Sequence, residues 1–440
     1  MIITNGPVIT GDPANPFVDN GAVVVQGDSI VAVGPAAEIR AAHPGEDTVD
    51  VAGRVIMAGL INAHTHAYSA YARGMAVHQP TRNFTEILEN LWWRLDRLLT
   101  LEDVELNAGT TFIESIRNGV TTVFDHHSSP NAVSGSLQTM ADVAGRIGIR
   151  TSLCYETSDR DGAAVLAAAI DENASFMKRV NTDEQDMVKG LFGLHAAFTL
   201  SEESLDAACA AKQGIAGGFH VHVAEGAGDE ADSLARYGKR IVQRFDDHGI
   251  LGPETIAAHC IHADPDELDL LKATDTTVVH NPHSNMGNAV GVAPVVDMLA
   301  RGLRVGLGTD AYTADILASA QVAKILQSDH LADPTVGFGQ ALQMAFINNP
   351  KICAKFFRKD LGVLKAGAYA DLITLAYRPF TPLGAESAGG HILFGMSGSQ
   401  VTDTMVNGAW VMRDRDILTV DEAAIFARST QRAPRIWAQM

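Results

Sequence analysis

His64 and His66 stand two residues apart where the apolar run "GLINAHTH" ends. On a strand such a pair shares one face, and a rise of about 6–7 Å lets both imidazoles converge on one ion. Neutral imidazole suits Zn(II) or Fe(II). A catalytic ion of this kind needs about three protein ligands and a position left to water. His222 in "GFHVHVAE" and Asp310 in "LRVGLGTD" are the further donors. His220 shares a strand face with His222 and competes with it, but lies farther from the C-terminal end, where it would sit deeper or pack structurally. Glu225, three residues past His222, is placed to take a proton from metal-bound water and hand it to a leaving group. His259, ending "ETIAAH", is placed to hydrogen-bond the attacking oxygen or a developing oxyanion.

These donors need a frame that gathers strand ends. Eight short apolar or β-branched runs stop at polar residues: "GLINAHTH", "TTVFDHH", "RTSLCYE", "GLFGLH", "GFHVHVAE", "ETIAAHC", "TTVVHN" and "LRVGLGTD". Helix-like stretches alternate with them, such as "TLEDVELNAGTTFIESIRNG", which opens on a Thr cap signal and closes at Asn-Gly. Strand and helix alternating eight times predict an α/β fold, a parallel (β/α)8 TIM barrel whose active site collects at the C-terminal strand ends. Residues 1–56 and 366–440 read differently, as short strands with Gly and Asn-Gly turns followed by a C-terminal helical tail. They predict a small β-sandwich domain built from both termini, with the barrel, 57–365, inserted between.

Composition narrows the partners. The chain has 440 residues, 46% hydrophobic, with a formal net charge of −19, which argues against nucleic acid or an anionic membrane as partner. Cys154, Cys209, Cys260 and Cys353 are far apart and suit a reducing cytoplasm. No apolar run approaches the roughly 20 residues of a membrane span, and the N-terminus lacks the pattern of a signal peptide.

"NAHTH", "GLH", "HVHVAE", "AAHCIHAD", "HNPHSNM" and "LGTD", in that order, resemble the amidohydrolase superfamily in its cytosine-deaminase-like, mononuclear branch. The resemblance spans nearly the whole chain. It implies His64, His66, His222 and Asp310 as ligands of one divalent ion, zinc first and Fe2+ as the other fit. It further implies Glu225 as proton shuttle, His259 and Asp310 acting on the nucleophile, and His195 as a substrate contact. Binuclear relatives use a carboxylated lysine on strand four. Lys189 lies six residues before His195 and reads as structural, so one metal is expected. More narrowly, "NLWWRLDR", "DHHSSP", "YETSDR" and "HILFGMSGS" are similar to SsnA-type aminohydrolases.

The chain departs from its ring-deaminating relatives at "HAAFTL", "TDAYTAD" and His283, all of which touch the substrate pocket. Substrate-binding candidates are therefore His195, the strand-seven loop with Asn281 and His283, and the segment of Trp93 and Arg94, in which Phe84, Trp92 or Trp93 could stack on a flat ring while Arg94 or Arg82 bonds its carbonyl or carboxylate. His126 and His127 read as structural or as supports for the ligands. The expected activity is hydrolytic deamination of an amino-substituted N-heterocycle such as a purine or pterin, by attack of metal-bound hydroxide with release of ammonia. Loss of chloride or alkylamine from a triazine-like ring is the rival, but halide needs no proton, so Glu225 favours an amine leaving group. Hydrolysis of a cyclic amide ranks third. A metal-free scaffold on this fold would be expected to have lost its ligands. By analogy with barrel enzymes of this kind, a homo-oligomer, dimer or larger, is expected.

Overall fold

The structure is a computed structural model that describes all 440 residues. Each apolar run of the sequence becomes a barrel strand. Strands one to three are Leu60–Thr65, Val120–His127 and Arg150–Tyr155, and strand four comes in two segments, Val188–Gly190 and Phe192–Ala196. Strands five to eight are Phe219–Val223, Ile256–His259, Thr277–His280 and Val305–Leu307. Nearly every residue in them is buried, because side chains on one face fill the barrel and those on the other meet the helices.

Leu191 interrupts strand four, so the ladder falls into a four-stranded and a five-stranded parallel arc. The arcs meet at isolated bridges, Thr157 with Leu194 and Thr65 with Asp310. At the second junction the N–H groups of Thr309 and Asp310 both donate to the His64 carbonyl at 3.0 Å, so a backbone contact sets one proposed ligand beside another. Gly308 permits that approach: a Cβ there would fall 2.8 Å from the His64 carbonyl oxygen and 2.4 Å from Asn281 Oδ1.

The helix Leu101–Arg117 shows why the outer layer forms where it does. Thr100 and Asp103 make a reciprocal capping box, and Val104, Phe112, Ile113 and Ile116 bury one stripe in the main core of 71 residues.

Both chain ends supply one continuous nine-stranded sheet. It joins through Val55–Ala58, antiparallel to Leu372–Leu375, over a core of 13 residues that includes Ile3, Val23, Ile56, Leu372 and Met405. The last helix, Glu422–Trp437, grouped with this sheet in the sequence reading, lies along the barrel helix Leu101–Arg117 instead. Arg432 pairs with Asp103 at 2.7 Å, and Trp437 Nε1 donates to the Tyr71 carbonyl at 2.7 Å. The helix carries apolar residues on one stripe only, and the barrel helix offers it a matching surface.

Arg150, at the start of strand three, ties sheet to barrel. Its fully buried guanidinium lies 3.3 Å from Asp371, donates to the Asp186 carbonyl at 2.5 Å and stacks 4.1 Å from the Tyr369 ring. Arg150→Ala leaves Asp371 charged and unpaired in the interior, which costs about 3–5 kcal/mol. Urea denaturation should show a midpoint lowered accordingly, and an unchanged midpoint would show that the pair contributes nothing.

Candidate active site

The polar ends of strands one, five, six and eight converge on one side of the barrel. His66 Nε2 lies 3.1 Å from His222 Nε2 and 3.1 Å from Asp310 Oδ1. His64 Nε2 is 3.9 Å from the same Asp310 oxygen. Ala224, His259, Cys260 and Asp310 all have positive φ, between 46° and 73°, a conformation that bends the chain sharply at these strand ends.

The other ring nitrogens decide what the converging ones can do. His66 Nδ1–H donates to the His126 carbonyl at 2.6 Å, and His222 Nδ1–H to the His195 carbonyl at 2.8 Å. Each ring therefore presents a lone pair at Nε2, and two lone pairs 3.1 Å apart repel unless a cation lies between them. Tetrahedral zinc with Zn–N near 2.0–2.1 Å places its ligand atoms about 3.3 Å apart. His64 hands its Nδ1 to His220 Nε2 at 2.8 Å, and its Nε2 is buried with no hydrogen-bond partner. The orphaned Nε2, the opposed lone pairs and the Asp310 carboxylate fit a divalent ion. His220 packs beneath His64 as a support. Lys189 pairs with Asp186 at 2.6 Å, away from these donors.

Glu225 and His259 flank the cluster. Glu225 Oε2 lies 3.5 Å from His259 Nε2, which is 3.8 Å from Asp310 Oδ2. Burial, with Asp310 and Asp229 nearby, holds the Glu225 carboxyl well above the usual carboxylate range. His259 Nδ1–H donates to Asn285 Oδ1 at 2.9 Å, so its Nε2 is an acceptor aimed between the two carboxylates.

Beside these groups lies an inner pocket of about 50 Å³ whose wall includes Tyr68, Phe84, Trp92, His195, Phe198 and Ser284. It opens past Trp92 and Tyr312 into a cleft of about 860 Å³ between the helix Leu101–Arg117 and the last helix. His195 faces the inner pocket, with Nδ1 2.8 Å from Thr199 Oγ1; burial draws its pKa down to about 4.

The other substrate candidates fall elsewhere. Trp93 stands behind His195, ring centroids 6.1 Å apart, and Trp92 takes the lining position. Arg94 turns from the site and donates to the Gln439 carbonyl at 3.4 Å. The turn Leu88–Trp92 is a π-helix, which shifts the phase of every residue after it. Asn281 is buried under the site against Gly308. His283 bonds Ser319 at 3.2 Å on an outer helix, and its neighbour Ser284 lines the pocket.

Two contributors escaped the sequence reading. Asn285, which fixes the His259 ring, lies within the quoted "HNPHSNM" but carries no chemistry of its own. Glu156, at the end of "RTSLCYE", is a buried pocket carboxylate: Oε1 accepts from His126 Nδ1 at 3.1 Å and lies 3.5 Å from His66 Nδ1.

Residues 55–411 match the amidohydrolase family, and residues 21–45 match an imidazolonepropionase-like composite domain of bacteria. A 5-methylthioadenosine/S-adenosylhomocysteine deaminase of Moorella thermoacetica is 31% identical over 430 residues, covering 95% of this chain and 96% of its own. A 5'-deoxyadenosine deaminase of Methanosarcina mazei is 30% identical over 448 residues, covering 100% and 99%. Among solved structures, a zinc-bound adenosine deaminase from Xanthomonas campestris superposes with a TM-score of 0.88 at 23% identity, covering 99% of this chain and 98% of that one. No helix is long and apolar enough to cross a membrane.

Proposed function

The chain belongs to the amidohydrolase family, a hydrolase acting on carbon–nitrogen bonds, and on that premise we propose that it deaminates an amino-substituted N-heterocycle with release of ammonia. What carries this reading is the set of three polar contacts around Asp310: His66 at 3.1 Å, His259 at 3.8 Å, and Glu225 reaching that same His259 nitrogen at 3.5 Å. Metal ligands, a proton acceptor and a proton shuttle thus share one pocket wall.

His64, His66, His222 and Asp310 would hold one divalent ion, zinc first. When bound, such an ion lowers the pKa of water towards neutrality and polarises the carbon under attack. The protein's own groups do the rest. The ring sits where the inner pocket joins the larger cleft, with its amino-bearing carbon towards the ligand cluster, and Phe84, Trp92 and Phe198 offer it apolar faces. His259, its ring fixed by Asn285, accepts a hydrogen bond from the attacking water and aims it. Glu225 takes one water proton and delivers it to the departing nitrogen, and Asp310 takes the second and passes it to the ring nitrogen beside the carbon under attack. The C–N bond breaks, the ring carbon keeps the oxygen as a carbonyl, and ammonia leaves.

The same reading places the enzyme in a reducing cytoplasm, where Cys154, Cys260 and Cys353 remain buried thiols. It also makes the enzyme a homo-oligomer, supported by the exposed Phe338 and Phe394, whose rings lie 6.0 Å apart on the surface.

The test is ammonia release by zinc-loaded protein from purines, pterins, pyrimidines and aminotriazines, with chelated protein as control. Release from at least one ring class, abolished by chelation and restored by zinc, is expected. Silence across the panel from protein holding one zinc per chain would remove ammonia as the leaving group.

A further inference from the structure

We propose that Glu156 selects the substrate by accepting a hydrogen bond from a ring N–H, which fits the enzyme to amino-lactam rings of the guanine, pterin or aminotriazinone type and not to adenosine derivatives. The inference rests on the deaminase reading and narrows its substrate class.

Glu156 directly follows strand three, is 5% exposed, and lines the inner pocket with His66 and His195. Its two oxygens differ. Oε1 accepts from His126 Nδ1, and His126 cannot turn away, because its Nε2 donates to the carbonyls of His220 at 2.9 Å and Leu194 at 3.2 Å. Oε2 receives no hydrogen bond from any protein group, and His195 Nε2 lies 3.9 Å from it, outside hydrogen-bond reach. A carboxylate oxygen that opens only into a buried pocket is costly until a donor meets it.

The ring chemistry then discriminates. An amino-lactam carries an N–H beside its amino-bearing carbon, and turning that edge to Oε2 satisfies the carboxylate. A sugar-linked adenine has, apart from the amino group that leaves, only acceptor nitrogens on its ring. Any of them set against Oε2 places lone pair on lone pair. Sites built around a specific hydrogen bond reject the analogue lacking it more strongly than apolar pockets reject a change of size. This distinguishes the expected substrate from those in the names of the relatives.

The experiment measures ammonia release and equilibrium binding for guanine, pterin and adenosine, using zinc-loaded wild type and Glu156→Gln. With Nε2 held as a donor by two carbonyls, His126 Nδ1 donates only when the ring carries both protons; in that state the amide of the variant keeps its oxygen on His126 and turns its NH2 into the pocket, replacing an acceptor by a donor, and in either state the charged acceptor is lost. Wild type should prefer guanine or pterin to adenosine by at least about 100-fold in kcat/KM. The variant, at unchanged zinc content, should lose at least about 30-fold on the preferred ring, mainly through KM, and gain on adenosine. A wild type that prefers adenosine overturns the proposal, as does a variant whose preference is unchanged or a protein that binds none of the three. Should Glu156→Gln not fold, the wild-type ratio alone decides. If no ring releases ammonia but binding still prefers guanine and reverses in the variant, the donor reading stands and the deaminase reading falls.

Discussion

Glu225→Gln lowers kcat by about 100- to 10,000-fold, the range spanned by a positioned general acid–base, and leaves the zinc content unchanged. The prediction follows from where Glu225 stands. It is buried in the pocket wall, 3.5 Å from His259, and the opposed imidazole nitrogens are those of His66 and His222, neither of them paired with its carboxylate. Burial and the charge of Asp310 raise its pKa, and a cation beside Asp310 offsets part of that repulsion. Glutamine matches its shape and cannot exchange a proton. Steady-state ammonia release with metal analysis on the same sample checks the role. Wild-type turnover would remove Glu225 from proton transfer, and loss of zinc would move it into the ligand set.

Asp310→Asn is the second large effect, with zinc affinity falling at least about 100-fold, since losing mere supporting contacts already costs 10- to 100-fold. Activity at saturating zinc falls as well, because Asp310 is the only carboxylate that reaches both His66 and His259. Asparagine is the informative replacement because Asp310 has φ of 54°, which asparagine tolerates and alanine does not. The backbone junction with His64 should therefore survive, and the loss can be assigned to charge. Titration of chelated protein with zinc, followed by assay, measures both terms. An unchanged affinity would exclude Asp310 from the ligand set.

The strands were legible because a barrel strand buried on both faces has no choice but an apolar run, and its functional end must break that run with a polar residue. That logic locates His64, His66, His222, His259 and Asp310, which the structure brings together. It has less hold on residues whose meaning lies across the barrel. Glu156 is the polar residue that ends "RTSLCYE", but its significance comes from His126 on strand two and His195 on strand four. Arg94 and His283 show the limit of helical reasoning. A π-turn before Arg94 rotates it out of the site, and a short helix opening at Pro282 presents Ser284 to the pocket instead of His283.

The sheet shared by the two chain ends bears on how the molecule is made. Val55–Ala58 pairs with Leu372–Leu375, and Arg54 reaches Asp403 across 349 positions of sequence. At a ribosomal rate of roughly 5–20 residues per second, the first strands wait about 20–70 s for their partners to be synthesised. During that interval Ile56 and its neighbours expose an unpaired, apolar edge. The nascent N-terminal hairpins are thus the part of this protein most dependent on chaperones, and yield in a recombinant host should respond to slower induction more than to any change at the catalytic face.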